Sequence, residues 1–390
     1  MKKTVNMKLK VLWIAPIRHP KNIAGHPAPW IEELAKNLSA EIDLTILGGA
    51  SDNIKQVETF HYDNITRVYL KTVKSLVDIA TLKLYNLYIF RKWIKKNFNK
   101  YDLIHIHGNE HQYEIACKNF KIPKVISMQG IISEYLKYYK PSGLKKLSWS
   151  IASYLELKGY KTVNNYSCRT NWDKSIVLNH NIRAQIFNIW ETIRPQFFDY
   201  SKKRKGNDIV FIGGSNPIKR LDSALIAFDI IKRDRDLNLL VIGNTSVEYI
   251  NSVIVNNNLN IGLNKDVKIL GFQDADGIIE SFKNAFCLLH PSLIDNSPNS
   301  ICEAQICGLP VVATNVGGVL TLIEDGVTGL LTDSNPDFIA KQLLKLYDDD
   351  LLWSTISNNS SLASRERHNP NTIVENTLKM YKDIIKGNDE

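Results

Sequence analysis

Short apolar runs alternate with amphipathic stretches along most of the chain. The runs are rich in β-branched residues, as buried strands are, and they occupy residues 10–16, 42–49, 102–108, 124–130, 208–214, 237–243, 266–271, 287–292 and 310–314. The stretches between them repeat apolar residues at helical spacing, for example at 27–39, 220–233 and 277–286. This alternation predicts parallel sheets covered by helices on both faces.

The alternation is interrupted at residues 191–207, where a proline is followed by a run of exposed charge. A chain of 390 residues is also long for a single core, because domains typically hold about 100–200 residues. We therefore predict one domain over residues 1–195 and a second over residues 196–370. Residues 371–387 have the pattern of an amphipathic helix.

Composition is that of a soluble globular protein, with 44% hydrophobic and 23% charged residues. The net charge of +9 is uneven, because residues 1–195 carry 30 Lys and Arg against 15 Asp and Glu, whereas the remainder carries a net −6. Residues 71–100 and 134–161 interleave lysines with aromatic residues. Such helices suit an anionic membrane surface or a phosphate-bearing acceptor; solvated lysines beside ordinary core helices are the alternative. No nucleic-acid recognition motif accompanies the charge.

Three features predict a cytoplasmic protein. The five cysteines are an odd number without paired CxxC units, which favours buried free thiols in a reducing compartment. The basic start of the chain has only a short apolar run, which we interpret as a first strand rather than a secretion signal. No run approaches the ~20 apolar residues of a membrane helix. The charge pattern adds an expectation of peripheral association with the inner face of the cytoplasmic membrane.

The stretch DNSPNSICEAQICGLPVVATNVGG places Asp295 and Glu303 around a predicted helix start. Pro298 suits the first turn, and Asn296 or Ser297 can cap it. Glu303 then lies inside the helix and Asp295 in the loop before it, so that both carboxylates can face one cavity. The free N–H groups of such a helix start favour an anionic ligand such as phosphate, although many α/β units open in this way and bind nothing.

Ligands of doubly wound sheets lie beyond the carboxyl ends of the strands. The loops at those ends contain small and polar residues here, in IRHPKNIAG (17–25), HGNEH (107–111), MQG (128–130), GGSNPIK (213–219), GNTS (243–246), GF (271–272), HPSLID (290–295) and NVGG (315–318). Two sheets that present such edges to each other form a cleft, which is the expected active site.

Several motifs between about residues 208 and 332 have the order and spacing of a known family. They are PIKRLDSALIAF, VIGN, ILGFQD, LLHPSLID, NSPNSICEAQICGLPVVAT, VGG and EDGVTGLL. By these motifs the C-terminal half resembles retaining family 4 glycosyltransferases of the two-Rossmann GT-B fold. Looser matches in DLIHIHGNE, VISMQG, RTNWDKSIV and WETIRPQFF are similar to the branch that assembles bacterial capsule, O-antigen and exopolysaccharide.

The resemblance implies an α/β chain with two Rossmann-like, doubly wound parallel-sheet domains facing across a cleft. Residues 1–195 would bind the acceptor, residues 196–370 the nucleotide sugar, and a last helix, 371–390, would cross back to the first domain. The implied reaction moves a sugar from a UDP- or GDP-sugar to a lipid-linked or polysaccharide acceptor, with retention at the anomeric carbon. No metal or other cofactor is expected, because no Asp-x-Asp sequence at a strand end suggests a metal role.

The family motifs assign donor-site roles to residues of this chain. By resemblance, Glu303 holds the ribose hydroxyls, Asp295 contacts the transferred sugar, and Lys219 binds the diphosphate. There the lysine would offset charge on the departing nucleotide; a solvated lysine is the alternative. Further donor contacts are expected from Arg220, Gly214, Ser297, Asn299, Ser300, Gly271, Phe272, Gly317 and Gly318.

Three positions depart from the family pattern. Asp295 stands where Glu is usual, and its side chain is one methylene shorter. Gly214 stands where the family often has Arg, and Arg220 is expected to compensate. Gln129 stands where relatives commonly place His, and a glutamine can hydrogen-bond a sugar but cannot act as a general base.

A titratable group of the first domain is then expected from His107, Glu110 or His111. We select His107 because it lies near the end of its strand, and we expect His105 to point to the opposite face. The predicted catalytic set is Asp295, His107 and Gln129. No protein nucleophile is required if the leaving diphosphate accepts the acceptor's proton on the same face.

Two other classes of function fit the same sequence. One is a nucleotide-sugar epimerase or phosphorylase, since these enzymes can share the GT-B fold. The other is a sugar-binding relative that has lost activity through its departures from the family pattern.

Overall fold

The computed structural model describes residues 8–21, 28–52, 54–233 and 235–389. They form two compact units. Unit 1 comprises Met1–Thr192 and Asn369–Glu390, and unit 2 comprises Ile193–His368. The predicted helix at 27–39 begins, and the predicted loop at 17–25 ends, outside the described residues.

Unit 1 has an eight-stranded sheet. Its strands are β1 (Lys10–Ile14), β2 (Asp43–Ala50), β3 (Val57–Tyr62), β4 (Ile65–Lys71), β5 (Leu103–His107), β6 (Lys124–Ser127), β7 (Asn165–Cys168) and β8 (Gln185–Asn188). They lie in the order β3-β4-β2-β1-β5-β6-β7-β8, and all neighbours are parallel except β3 and β4. Those two strands form a hairpin whose turn residues, Asp63 and Asn64, have φ values of 55° and 58°. Positive φ at both positions matches the strand twist and is tolerated by Asp and Asn.

Unit 2 has a six-stranded sheet in which every pair is parallel. Its strands are β9 (Asp208–Ile212), β10 (Asn238–Ile242), β11 (Val267–Gly271), β12 (Ala285–His290), β13 (Val311–Thr314) and β14 (Leu330–Thr332). Their order is β11-β10-β9-β12-β13-β14. The order reverses direction at β9, so the loops after β9 and β12 lie side by side at the switch point.

Helices connect the strands. In unit 1 they are α1 (Pro29–Leu38), α2 (Ser75–Ala80), α3 (Leu84–Asn97), α4 (Tyr113–Ala116), α5 (Ile132–Tyr138), α6 (Gly143–Gly159) and α7 (Asn171–His180). In unit 2 they are α8 (Gln196–Asp199), α9 (Leu221–Lys232), α10 (Val247–Asn256), α11 (Ala275–Lys283), α12 (Asn299–Ile306), α13 (Val319–Leu322), α14 (Pro336–Asp348) and α15 (Asp350–Arg367). The last helix, α16 (Pro370–Asp389), belongs to unit 1.

The central strands are apolar along their whole length. Residues 11–14 of β1 and 311–314 of β13 are fully buried, as expected for parallel strands covered on both faces. In unit 1, α16 contributes Tyr381, whose hydroxyl accepts a hydrogen bond from Trp13 Nε1 at 3.0 Å and lies 2.7 Å from His105 Nδ1. The prediction of two parallel-sheet α/β domains is confirmed.

Some predicted elements are displaced. The helix expected at 277–286 is α11, which starts earlier because the Asp274 side chain accepts a hydrogen bond from the Gly277 N–H at 2.9 Å. The strand expected at 287–292 correspondingly begins at Ala285. All five cysteines are buried free thiols, as predicted. Among the described residues, no helix combines the length and apolarity needed to cross a membrane.

Candidate functional site

The loops at the carboxyl ends of the unit 2 strands are tied together by backbone hydrogen bonds. The N–H groups of Gly213 and Gly214, after β9, bond to the carbonyl of Ile242 at the end of β10. Leu293 N–H, after β12, bonds to the Ile218 carbonyl at 2.8 Å, and Gly318 N–H, after β13, bonds to the Asp295 carbonyl at 2.9 Å. The predicted loops 213–219, 290–295 and 315–318 therefore form one surface at the edge of the sheet.

Two predicted glycines allow these loops to approach one another. Gly214 has φ +54°, and a Cβ there would overlap the Asn244 carbonyl. Gly317 has φ +52°, and a Cβ there would overlap the Asp295 carbonyl. Both positions thus need glycine for conformation and for space, and Gly317 fixes the loop that carries Asp295.

Lys219 and Asp295 form an ion pair in this structure. Lys219 ends a 3₁₀ turn after β9, whose start is capped by the Asn216 side chain, and Asp295 lies in the loop after β12. The structure therefore places the predicted diphosphate ligand and the predicted sugar ligand in direct contact. Asn296 N–H donates to the other carboxylate oxygen at 3.1 Å.

His290, at the end of β12, completes this group. Its Nε2 lies 3.1 Å from the Asp295 oxygen that Lys219 also contacts, and the side chain is buried. Burial favours protonation of Asp295, but Lys219 and His290 outweigh it and hold the pKa of that carboxyl below its ordinary value. Burial lowers the pKa of His290 against the opposing effect of Asp295. An ionised carboxylate only accepts hydrogen bonds, so we assign the imidazole proton to Nε2.

Glu303 lies on α12 and pairs with Arg194, the second residue of unit 2. Arg194 Nη2 is 2.7 Å from Glu303 Oε1, and both side chains are largely buried. The guanidinium also lies over the Phe197 ring, 4.9 Å from its centroid. Burial raises the pKa of Glu303, and the charge and hydrogen bond of Arg194 oppose that rise.

The start of α12 differs from its predicted capping. Pro298 occupies the capping position with extended backbone and makes no side-chain capping hydrogen bond, so the expectation that Asn296 or Ser297 is the capping residue was wrong. Ser297 Oγ and Asn299 Oδ1 are buried and make no hydrogen bond within the described part of the chain. Buried polar atoms are ordinarily satisfied, so these two, with the first N–H groups of α12 and the nearby Ser300, are suited to ligand hydroxyls or phosphate.

Other predicted donor contacts are less enclosed. Arg220 has φ 59°, and its Nε bonds to Asp222 Oδ1 at 3.0 Å, so its guanidinium is engaged by the first turn of α9. Gly271 has φ +68° with open space around it, and Phe272 is 81% exposed. Gly318 contributes its backbone N–H to the Asp295 loop.

His107 in unit 1 is deeply buried. Its ring centroid lies 4.2 Å from that of Trp13 and 4.0 Å from that of His105. The expectation that the two histidines point to opposite faces was therefore wrong, because residues two apart on a strand share a face. The adjoining cavity of about 30 Å³ is bordered by Arg169 and is large enough to hold water. Burial lowers the pKa of His107 well below its ordinary value, with smaller effects from His105 and Arg169.

Gln129 and Glu110 lie together beside Gly108. A Cβ at Gly108 would meet the side-chain oxygens of both residues. Glu110 Oε1 accepts a hydrogen bond from Gly130 N–H at 2.6 Å, and burial raises the pKa of this carboxyl. His111 is exposed, and its ring stacks on that of Tyr113 with 5.4 Å between the centroids.

Sequence reasoning missed Arg194 and His290 as site residues. The only signals were the basic residue in IRPQFF and the histidine in the strand-end loop HPSLID. No group of three or more His, Cys, Asp or Glu side chains in the described residues could hold a metal ion.

Comparison with known proteins points to one family. Residues 192–362 match the family model described as "Glycosyl transferases group 1". The chain is 26% identical to an uncharacterized glycosyltransferase of Methanocaldococcus jannaschii over 73% of its own length and 87% of that protein. It is 27% identical to the capsular polysaccharide biosynthesis glycosyltransferase CapM of Staphylococcus aureus, over 48% of this chain and 49% of CapM.

Solved structures extend the likeness to the whole fold. Sucrose-phosphate synthase of Thermosynechococcus elongatus superimposes with a TM-score of 0.78 at 15% identity, covering 97% of this chain and 100% of that one. Anabaena HepE in complex with UDP gives a TM-score of 0.70 at 17% identity, covering 96% and 100%. These likenesses show the GT-B fold, and the family match with the curated relatives supports a group 1 glycosyltransferase.

Proposed function

We propose that this chain, whose similarities support a group 1 glycosyltransferase, transfers a sugar from a UDP- or GDP-sugar to a lipid-linked or glycan acceptor with retention at the anomeric carbon. The proposal rests on two ion-paired carboxylates of unit 2, Asp295 with Lys219 and Glu303 with Arg194. HepE, a structural neighbour, is named in complex with UDP. CapM gives a precedent for a role in surface polysaccharide synthesis.

In the proposed complex the bound donor breaks the ion pair between Lys219 and Asp295. The lysine turns to the diphosphate, and the aspartate accepts hydrogen bonds from hydroxyls of the transferred sugar. Glu303 holds the ribose hydroxyls through its carboxylate, which Arg194 helps to keep ionised. Asp295 keeps its contacts with His290 and the Asn296 N–H, and Glu303 keeps Arg194, so both carboxylates stay oriented while the lysine moves.

The reaction breaks the bond between the anomeric carbon and the diphosphate oxygen and forms one to the acceptor oxygen on the same face. The acceptor's proton passes to the departing diphosphate, so no protein nucleophile or base is consumed. Lys219 stabilises the negative charge that grows on the leaving group. Asp295 positions the sugar, unlike the paired acid and nucleophile of retaining glycosidases.

The acceptor domain of this proposal also associates with the inner face of the cytoplasmic membrane. We define its apolar-basic face as the exposed large apolar side chains of α2, α3, α5 and α6 and the loop before α3, with the neighbouring lysines. These side chains are Leu76, Val77, Leu82, Leu84, Tyr85, Tyr88, Tyr138, Leu144, Leu147, Tyr154 and Leu157. Helix α6 packs against α2 and α5, so the elements adjoin, and such a face suits anionic lipid.

Calorimetric titration of UDP-, GDP- and ADP-sugars, without acceptor, tests the donor site. One nucleotide class should bind to the wild type, and Glu303→Ala should lose that binding because the ribose ligand is gone. Glu280→Ala is the matched control, since Glu280 is an exposed carboxylate on α11 that pairs only with Lys283 in the described residues. Binding of no donor would overturn the proposal, and donor binding without turnover on any acceptor would favour an inactive sugar-binding relative.

Turnover is expected to survive chelation, because Lys219 supplies the positive charge at the diphosphate. Activity measured before and after treatment with a chelator tests this part of the mechanism. Loss of activity that manganese restores would show that a metal is required after all.

Cosedimentation with anionic vesicles at low and high salt tests membrane association. The wild type should bind at low salt and less at high salt, because the attraction is partly electrostatic. Leu76→Ser with Tyr88→Ser should weaken binding, whereas Leu351→Ser with Leu362→Ser, at strongly exposed positions of unit 2, should not. No binding at low salt would remove the membrane from the proposal.

A further inference from the structure

Unit 1 contains a cavity of about 500 Å³ at the carboxyl ends of β1, β2, β4 and β5. It lies where a doubly wound sheet places its ligands, and its volume is that of a small-molecule site. It is separate from the small cavity beside His107, which shares none of its lining residues. The proposed donor site in unit 2 makes no use of this cavity.

The lining combines cations with hydrogen-bonding groups over an apolar floor. Lys74, Lys83 and Arg18 contribute positive charge. Lys83 Nζ lies 3.6 Å from Asp78 Oδ2, which is a long distance for an ion pair. The other carboxylate oxygen, Asp78 Oδ1, is buried and has no hydrogen-bond partner in the described residues. Phe90, 4.7 Å from Tyr113 between ring centroids, provides part of the floor.

The acidic groups of the cavity do not cancel this charge. Asp78 is matched by Lys83, and Glu110 is turned to the N–H of Gly130, 2.6 Å away. Among the described residues, Lys74 pairs only with Asp52. The lysine is strongly exposed, with 73% of its side chain accessible. The lining thus has three basic side chains against two acidic ones, which favours an anionic ligand.

The helices that line the cavity also carry exposed apolar residues. On α2, Ser75 and Asp78 line the cavity, while Leu76 is 66% exposed. On α3, Asn86 lines it, while Tyr88 is 57% exposed. One pair of helices thus joins a polar, cationic cavity to an apolar outer surface.

We propose that this cavity binds the phosphate-bearing head group of an amphiphilic acceptor, whose hydrocarbon chain lies along the exposed apolar residues of α2 and α3. Lys74 and Lys83 hold the phosphate, and Asp78 accepts a hydrogen bond from a head-group hydroxyl. Its role as the acceptor site rests on the proposed function. The cavity selects a lipid-linked acceptor over a soluble glycan, because a soluble glycan would not contact the exposed apolar residues of α2 and α3.

Calorimetric binding of farnesyl phosphate, below its micellar concentration, tests both parts of the site. Farnesol supplies the chain without the phosphate, and inorganic phosphate supplies the anion without the chain. We expect farnesyl phosphate to bind at least about tenfold more tightly than either, since charged hydrogen bonds and apolar burial each contribute on the order of tenfold or more. Equal affinity for inorganic phosphate would reduce the site to a general anion site and overturn the proposal.

Two double variants separate the head-group contacts from the chain contacts. Lys74→Gln with Lys83→Gln should weaken farnesyl phosphate binding about tenfold or more and leave farnesol unchanged. Leu76→Ser with Tyr85→Ser should weaken both ligands. The matched control is Lys92→Gln with Lys95→Gln, which removes the same charge from exposed positions of α3 outside the cavity; an equal loss in that control would overturn the assignment.

Failure of this inference and failure of the glycosyltransferase proposal give different results. Farnesyl phosphate binding that responds to the cavity variants, with no binding of any nucleotide sugar, would leave the head-group site standing without the enzyme. Donor binding that depends on Glu303, with farnesyl phosphate binding unaffected by the cavity variants, would leave the enzyme and remove this acceptor site.

Discussion

Asp295 and Glu303 of unit 2 and Glu156 of unit 1 are largely buried carboxyl groups with opposite surroundings. In unit 2, Asp295 and Glu303 each lie against a cation, Lys219 and Arg194 respectively. In unit 1, Glu156 is held by the N–H groups of Ile132 and Ser133, at 2.9 and 3.0 Å, and forms no ion pair with the described residues. Burial raises its pKa to about 7, against the lowering effect of those hydrogen bonds.

This difference separates binding chemistry from structural chemistry. A carboxylate kept ionised by a neighbouring cation can accept ligand hydroxyls, and in the Asp295 pair the lysine can also turn to a phosphate. A carboxyl group held by backbone N–H groups instead secures an element, here the first turn of α5. The unit 2 acids are therefore suited to a charged, hydroxylated donor, and Glu156 to fixing a helix.

The largest effect is expected from Lys219→Met. Loss of the cation at the diphosphate should lower kcat by about 10²–10³-fold, the range found when a preorganised electrostatic group is removed. Steady-state kinetics with the donor that calorimetry selects will measure it. Lys268→Met, at an exposed position of β11, is the control; a decrease no greater than the control's would show that Lys219 is a solvated lysine.

The pH dependence of stability tests the structural carboxyl group of unit 1. Because the folded pKa of Glu156 is about 7 against an ordinary 4.5, the unfolded chain releases this proton first as the pH rises. The stabilising contribution is thus present below about pH 4.5 and is lost by about pH 7, an effect of about 3 kcal/mol. Glu156→Gln should flatten the decrease in urea midpoint over this range.

Glu134→Gln provides the comparison for that experiment, since Glu134 lies on α5 but pairs with Lys137. Glu134→Gln should retain the wild-type slope of the urea midpoint against pH. Burial also raises the pKa of Glu110 and Glu114, so the Glu156 variant keeps part of the slope. If Glu156→Gln leaves the slope of the urea midpoint against pH unchanged, the raised pKa assigned to Glu156 is contradicted.

Arg194→Met should weaken donor binding about tenfold at neutral pH. Without Arg194, burial of Glu303 is unopposed and its pKa rises further, so a larger fraction of the ribose ligand is protonated. Because the ionised carboxylate accepts the ribose hydroxyls, affinity should recover as the pH increases. Calorimetry at several pH values will measure this; a loss of affinity that is independent of pH would indicate that Arg194 acts only by packing on Phe197.

The sequence predicted the elements better than the contacts between them. The apolar strands of unit 2 and α12 follow from local patterns, because both faces of the sheet are buried. The β3–β4 hairpin was missed because β3 is largely exposed and lacks an apolar pattern. The Arg194–Glu303 pair joins residues 109 positions apart, and the Lys219–Asp295 pair joins two loops, so spacing along the chain could not reveal either.

The smallest effect is expected from the titration of His107. Its pKa lies well below the ordinary value because the ring is buried, so the imidazole stays neutral across the working range. The profile of kcat/KM between about pH 5 and 8 should therefore show no step that belongs to this residue. The comparison is wild type against His107→Gln, with His61→Gln as a control at an exposed histidine of β3. A step near pH 6.5 that disappears only in His107→Gln would show that the histidine is reached by solvent and changes its charge during the reaction. A flat profile in all three proteins would leave the proton transfer with the leaving diphosphate and keep the charged chemistry in unit 2.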